Sequence, residues 1–287
     1  MSNFFRGHRR RGSYDLFSSY SHYLPGWGGL LALTGLFLLG SLIGGAIMAG
    51  LTASVGASVA SKYGVLITYP VTFIPAMLYA SVRSRLNENR IEAAPLDMKL
   101  SGIKTILTLV FTCIFSTIAV AYIVEPVNKL LPEMPQDIKD VMENLLKGMP
   151  LWATLISVSV FAPLFEEWLC RGIVMRGLLH KTSPMAAIIV SALFFALIHG
   201  NLWQAVPAFG MGLLFAYVYY RTGSLKLTML MHFVNNCLAL FMSKIPQFED
   251  AESFMDILSP WAYWCIFAAC LVILPSSIIL IKGNAKR

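Results

Sequence analysis

The chain has 287 residues, of which 57% are hydrophobic and 13% are charged. Soluble domains carry about 25% charged residues, so this composition excludes a soluble globular protein and indicates a polytopic membrane protein. The net charge of +7 does not indicate a nucleic-acid partner, because the basic residues fall mainly in the connections on one side of the predicted membrane spans.

Eight apolar segments predict an all-α fold, a single bundle of eight transmembrane helices. A spanning helix needs about 20 largely apolar residues, and some of the segments are short. In chain order the segments run from Trp27 to Leu51, Gly64 to Val82, Thr105 to Val124, Leu151 to Leu169, Pro184 to His199, Leu202 to Tyr220, Leu225 to Met242 and Pro260 to Ile281.

The distribution of Lys and Arg predicts the orientation of the bundle. With the amino terminus in the cytoplasm, the inner segments hold 17 of the 22 Lys and Arg residues, as the excess of positive charge on cytoplasmic loops requires. Both termini are therefore predicted to be cytoplasmic. Residues 1–23 form a cytoplasmic basic arm, and residues 24–287 form the membrane domain, with a catalytic core at about 150–240.

Two apolar regions carry local signals. Gly40 and Gly44 in the first span form a small-xxx-small pair, which allows close approach of another helix. The outer loop from Glu125 to Pro150 repeats apolar residues at helical spacing, with Asp137 and Gly148 as possible caps. This pattern predicts a helix on the membrane surface, either a lid or, as we favour here, an ordinary interfacial connector.

The fourth span contains charged residues where none is expected. Glu166, Glu167 and Arg171 lie within an otherwise apolar run, although a charge near the bilayer centre costs about 2.5 to 3.5 kcal/mol. These groups must therefore face protein or a water-filled cavity. Pro163 precedes them by one helical turn and is expected to kink the helix and help to open such a cavity.

The spacing divides the two carboxylates between different partners. Glu167 and Arg171 are related as i and i+4, the favourable order for an ion pair on one helix face. Glu166 points elsewhere, towards the polar groups of later spans, His199, His232 and Asn236. Counting helical rises places His232 about 10 Å, but His199 about 20 Å, from the cytoplasmic ends of their helices. A tilted or earlier-starting fifth span would reconcile these depths.

This set of side chains is suited to the hydrolysis of a peptide bond. Such a reaction needs a base for water, an acid for the leaving amine and donors for the oxyanion. A carboxylate and two histidines are also zinc ligands, so a metal held by Glu166, His199 and His232 is the alternative. Two non-catalytic hypotheses stay open, an immunity or regulatory membrane protein that acts by binding, and a small transporter lined by the same residues.

The order of these motifs resembles the CPBP family of intramembrane endopeptidases, which are related to the type II CAAX prenyl proteases and to bacteriocin-processing proteins. The resemblance rests on Glu166-Glu167-x-x-x-Arg171, Phe195-x-x-x-His199 and His232-x-x-x-Asn236, which occur in this order on successive spans. It covers about residues 150–240.

The resemblance implies a role for each residue. Glu166 would activate water, flanked by Glu167 and Arg171, His199 would hold the water, and His232 and Asn236 would bind the oxyanion. We add Phe195 as a substrate-binding residue. We prefer a glutamic mechanism with no required cofactor, while zinc is possible.

The predicted function is an intramembrane endopeptidase in the bacterial inner membrane. It would cut a peptide or membrane-protein substrate near the cytoplasmic membrane face, with the lipid bilayer and this substrate as its partners and no nucleic acid.

Overall fold

The computed structural model describes residues 18–87, 95–244 and 253–285, and these residues form helices and connections with no β-strand. Helices account for 83% of the structure. We number the helices of the described residues in chain order. They are α1 (Trp27–Val55), α2 (Ala57–Tyr63), α3 (Val65–Asn87), α4 (Ile103–Asn128), α5 (Gln136–Glu143), α6 (Leu151–Leu179), α7 (Pro184–Leu197), α8 (Leu202–Thr222), α9 (Leu225–Met242) and α10 (Pro260–Asn284).

Seven of these helices are long and apolar enough to cross a membrane, which makes the chain an integral, multi-pass membrane protein. The eighth predicted span is α7, which has 14 residues. At 1.5 Å per residue it is about 21 Å long, shorter than the roughly 30 Å hydrocarbon core of a bilayer. The count of eight spans and the cytoplasmic location of both termini therefore stay predictions.

The two ends of the bundle carry different charges. At one end lie the segments 18–26, 95–102, 180–183 and 223–224, joined by contacts such as the ion pair of Lys226 with Asp97 at 3.1 Å. We call this the basic end. At the other, acidic end lie 56–64, 129–150, 198–201 and 253–259. There Lys129 pairs with Asp256 at 2.8 Å, and Trp203 Nε1 donates to the Pro132 carbonyl at 2.8 Å.

Helices α1 and α3 pack closely at the predicted small residues. Gly40 and Gly44 are both buried. A Cβ atom on Gly40 would overlap the backbone carbonyl of Thr72, and one on Gly44 would lie 3.2 Å from the Thr68 carbonyl oxygen. The predicted close approach is confirmed, and its partner is α3.

Helix α6 departs from regular α geometry on both sides of Pro163. A π-helical turn at Leu155–Phe161 precedes the proline, and a second one at Trp168–Met175 follows the two glutamates. A proline lacks the N–H that a regular ladder needs, and π-helical turns often occur at functional sites. The irregularity predicted at Pro163 is thus present as widened turns that flank the carboxylates.

The start of the described chain packs on the basic end. Arg176 Nη2 donates to the carbonyl oxygens of Tyr20 and Tyr23, each at 3.1 Å, and the Tyr20 ring contacts Trp168 at 5.0 Å. Residues 1–17, which hold most of the predicted basic arm, lie outside the described residues.

Candidate active site

A completely buried ion pair anchors the site. Glu167 and Arg171 are 0% exposed, and Arg171 Nη1 lies 2.6 Å from Glu167 Oε1. Arg171 Nη2 also donates to the Gly212 carbonyl of α8 at 3.0 Å, and its guanidinium lies 4.4 Å from the centre of the Phe195 ring. The predicted i, i+4 pair is therefore formed, and it ties α6 to α7 and α8.

Glu166 points inward and uses its two oxygens differently. Oε1 accepts a short hydrogen bond from the hydroxyl of Tyr69 on α3. Oε2 is buried and has no hydrogen-bond partner among the described residues. It lies 4.0 Å from His199 Nε2 and 3.9 Å from His232 Nε2. The separation leaves room for a small ligand that bridges the three atoms.

The other ring nitrogens fix the tautomers of the two histidines. His199 Nδ1 lies 2.7 Å from the Phe195 carbonyl oxygen, and His232 Nδ1 lies 3.2 Å from Glu167 Oε1. A carbonyl and an ionised carboxylate can only accept, so each Nδ1 donates. In a neutral ring the Nε2 atom that faces Glu166 is then an acceptor, and His232 can donate from Nε2 only when it is protonated.

Two amide side chains supply further donors. Asn236 Nδ2 donates to the Val158 carbonyl at 2.8 Å and keeps a second hydrogen, because an amide nitrogen has two. Gln204 accepts through Oε1 from Asn201 Nδ2 at 2.6 Å, which leaves its own NH2 group to donate. Both residues line the cavity described next. Asn235 donates to Asn236 Oδ1 at 3.2 Å.

The predicted substrate-binding residue Phe195 has a different place. Its side chain is 2% exposed and is not among the described residues that line the cavity. Its ring packs edge-on against His199 at 5.1 Å and against His232 at 5.4 Å. The structure therefore supports Phe195 as a residue that positions the two imidazoles, and not as a substrate contact.

A cavity of about 360 Å³ opens beside Glu166. Glu166, His199, His232 and Asn236 all line it, and its remaining wall is mostly apolar.

Part of that wall comes from α5 and from the π-helical turn at Asn144–Gly148 that continues it. The residues that line the cavity there are Met142, Leu145 and Leu146. The interpretation of this segment as an ordinary interfacial connector is wrong, because it forms one side of the cavity. Pro135 occupies the N-cap position of α5, and no side-chain hydrogen bond, from Asp137 or another residue, caps the start of this helix.

Both histidines meet Glu166 although they lie at different distances along the chain from the starts of their helices. His199 lies two residues beyond the end of α7 at Leu197, so its side chain belongs to the turn into α8 and reaches back to Glu166. His232 lies within α9, seven residues after its start at Leu225. The earlier start considered for the fifth span is wrong, because Ser183 caps α7 just before Pro184.

The cavity lies towards the acidic end of the bundle. Val65 at the start of α3, Met142 of α5 and Gln204 at the start of α8 all line it. The basic segments lie at the opposite end. The first and last described residues, Ser18 and Ala285, lie at the end that the cavity does not face. A site near the cytoplasmic face is therefore incompatible with the prediction that both termini are cytoplasmic.

Tyr69 is a site residue that the sequence analysis missed. It lies in α3, far from the motif-bearing helices in sequence, and it belongs to no recognised motif. The sequence offers one indirect signal, Pro70, directly after Tyr69. A proline inside a spanning helix leaves a backbone carbonyl without its helical partner, so other parts of the protein must pack close to that position. Only the packing of α3 on α6 shows that its hydroxyl reaches Glu166.

A metal site does not stand out in the described part of the chain. No group of three His, Cys, Asp or Glu side chains there is arranged to hold a metal ion. We therefore derive no chemical step through zinc, and metal dependence is left to the chelation experiment below.

Comparisons with known proteins agree with this geometry. Residues 148–238, about a third of the chain, match the family model described as type II CAAX prenyl endopeptidase Rce1-like. A protein of Bacillus subtilis (strain 168) named "Putative membrane peptidase YdiL" is 29% identical over 113 residues. That alignment covers 39% of this chain and 44% of the relative, so the chain spans less than half of the relative's length. No solved structure matches.

The predicted resemblance to the CPBP family is confirmed. The Rce1-like segment 148–238 contains all the motif residues, from Glu166 on α6 to Asn236 on α9. Tyr69 and the cavity wall formed by α5 lie before this segment. The match thus covers the acid, imidazole and amide groups, whereas α1 to α5 are described only by this chain's own structure.

Proposed function

We propose that the protein is an intramembrane endopeptidase in which Glu166 activates a water molecule. The observation that carries this proposal is the buried Oε2 atom of Glu166, which faces the Nε2 atoms of two imidazoles at 3.9 and 4.0 Å and lines a cavity. The resemblance of residues 148–238 to Rce1-like endopeptidases supports the same chemistry.

The proposed mechanism follows from the donors and acceptors. A water molecule between Glu166 Oε2 and His199 Nε2 donates one hydrogen to each and keeps a lone pair for the substrate carbonyl. Glu166 takes the proton as the new C–O bond forms, and later returns it to the leaving nitrogen as the C–N bond breaks. The products are a carboxylic acid and an amine.

The negative charge on the former carbonyl oxygen needs donors. Asn236 offers its second amide hydrogen, and His232, whose Nδ1 atom contacts Glu167, offers Nε2–H when it is protonated. Removal of one such donor costs about 10²–10³ in kcat in well-studied hydrolases. Glu167 and Arg171 act indirectly, because they hold His232 and the rotation of α6 in place.

The substrate in this proposal is a peptide or a membrane-protein segment that enters the cavity of about 360 Å³. The location that we propose is a bacterial cell membrane, as the sequence analysis predicts.

The test uses the purified full-length protein in detergent and a library of synthetic peptides, with products identified by mass spectrometry. We expect cleavage that survives a chelator and that falls at least 100-fold in Glu166→Gln. Asp97→Asn is the matched control, since this carboxylate at the basic end accepts from Ser224 Oγ at 3.2 Å and is remote from the cavity.

Three results would contradict the proposal. Full cleavage by Glu166→Gln would exclude Glu166 as the base. Loss of cleavage in chelator, restored by added zinc, would replace the glutamic mechanism with a metal-dependent one. A cellular activity that persists in Glu166→Gln at equal expression would favour the non-catalytic, binding hypothesis.

A further inference from the structure

The two ends of the bundle differ strongly in charge. The described segments 18–26, 80–87, 95–104, 180–183, 221–226 and 282–285 at the basic end hold eight Lys and Arg residues and one acidic residue. The described segments 56–64, 129–150, 243–244 and 253–259 at the acidic end hold five lysines and five acidic residues. An excess of Lys and Arg marks the cytoplasmic side of a membrane protein. The acidic end therefore belongs on the opposite face.

The helices connect the catalytic groups to that acidic end. Tyr69 lies one turn after the start of α3, and His199 lies in the α7–α8 turn. The α5 segment, which forms part of the cavity wall, follows the end of α4 at Asn128. A chain that reaches Glu166 through this cavity passes between elements of the acidic end.

A second cavity of about 530 Å³ adjoins the first one, because Met142 lines both. Its wall includes three carboxylates, Glu125, Glu133 and Glu143, and two lysines. One of the lysines, Lys129, already pairs with Asp256 at 2.8 Å. Glu125 is 8% exposed, and its Oε2 atom has no hydrogen-bond partner among the described residues.

We propose that the substrate is a cationic peptide segment that enters the Glu166 cavity from the face of the membrane opposite the cytoplasm. The scissile bond lies at Glu166, and a basic residue near it lies in the second cavity, where the carboxylates of Glu125, Glu133 and Glu143 attract it. This inference rests on the proposed protease function, and it replaces the predicted position of the site near the cytoplasmic face.

The face is tested by cysteine labelling of the full-length protein in bacterial spheroplasts with a membrane-impermeant maleimide. The two variants are Met142→Cys, in the cavity wall, and Lys99→Cys, at the basic end. We expect Met142→Cys to be labelled in intact spheroplasts and Lys99→Cys to be labelled only after permeabilisation. The wild type, whose described cysteines all lie within helices, gives the background.

Gln136→Cys provides a second site on the same face, at the exposed start of α5, if Met142→Cys is poorly expressed. Labelling of Lys99→Cys in intact spheroplasts, with the α5 variants protected, would overturn the proposed face. This result does not depend on any cleavage, so it separates a failure of the orientation from a failure of the protease function.

The charge of the substrate is tested with one library peptide that the purified protein cleaves, resynthesised with Lys, Gln or Glu at positions flanking the scissile bond. We expect kcat/KM to decrease in the order Lys, Gln, Glu, by about fivefold per step for a partly exposed ion pair. The double variant Glu133→Gln/Glu143→Gln should lower kcat/KM for the Lys peptide more than for the Gln peptide and so reduce this preference. An equal or reversed order would overturn the cationic specificity.

If the library contains no cleaved peptide at all, the proposed function fails, whereas the labelling result still decides which face the cavity meets. A preference for Lys that persists unchanged in the double variant would also contradict the assignment of the second cavity as its binding site.

Discussion

Glu166 illustrates how one side chain can be both fixed and reactive. Tyr69 holds Oε1 by a hydrogen bond, and this contact fixes the carboxylate plane so that Oε2 faces His199 and His232. A hydrogen bond to a charged group contributes about 1.5–3 kcal/mol. The hydroxyl of Tyr69 therefore contributes to the orientation of the carboxylate.

Replacement of Tyr69 by Phe tests this role. We expect kcat to fall by 10- to 100-fold with little change in KM, because the carboxylate loses its fixed orientation while the cavity keeps its shape. Steady-state kinetics with a cleaved peptide measure both constants. Tyr63→Phe is the control, since Tyr63 is 38% exposed and stacks on Trp152 at the acidic end. Wild-type kcat in Tyr69→Phe would refute the role.

The arginine at the centre of the site is paired through its two terminal nitrogens, whereas its Nε atom has no hydrogen-bond partner among the described residues. Arg171 meets the Glu167 carboxylate, the Gly212 carbonyl and the faces of Phe195 and Phe215. A buried charge is tolerated only when it is paired and hydrogen-bonded. The same contacts explain why Phe195 packs behind the histidines and does not line the cavity.

At the scale of elements, the close packing of α1 on α3 helps to position Tyr69 beside Glu166. Gly40 has no room for a Cβ atom beside the Thr72 carbonyl, and Thr72 is less than one turn from Tyr69. The glycines of α1 therefore affect a site that α1 does not itself form.

The variants Gly40→Ala and Gly45→Ala separate packing from helix propensity. Gly45 has nothing within 4 Å of an added Cβ atom, so Gly45→Ala should leave stability unchanged or slightly raised. Gly40→Ala forces the helices apart, at a cost of about 1–3 kcal/mol. We expect a lower midpoint of thermal unfolding in detergent and reduced peptide cleavage. Equal behaviour of the two variants would contradict the role of the close contact.

For the whole molecule, the unusual feature is the mixture of seven long helices and the short α7. If α7 crosses the membrane with its neighbours, the crossings are even in number and both termini share one face. A 14-residue helix can do so only if the turn at 198–201 lies below the membrane surface, beside the cavity that Ile198 and His199 line.

Fusion of green fluorescent protein to either terminus tests this count, because the fluorophore forms in the bacterial cytoplasm and not after export of the unfolded chain. We expect fluorescence from both fusions, as the positive charges of the basic end require. Fluorescence from one terminus alone would mean an odd number of crossings and would exclude α7 as a span.

The sequence by itself determined the membrane class, the ion pair of Glu167 with Arg171 and the set of acid, imidazole and amide groups. These features follow from three local rules. The rules concern the length of apolar runs, the i, i+4 spacing on a helix and the cost of a buried charge. Only the tertiary structure decided that Tyr69 meets Glu166, that Phe195 lies behind the histidines and that α5 forms part of the cavity wall. Those contacts join residues distant in the chain, and helix packing, which local spacing does not specify, brings them together.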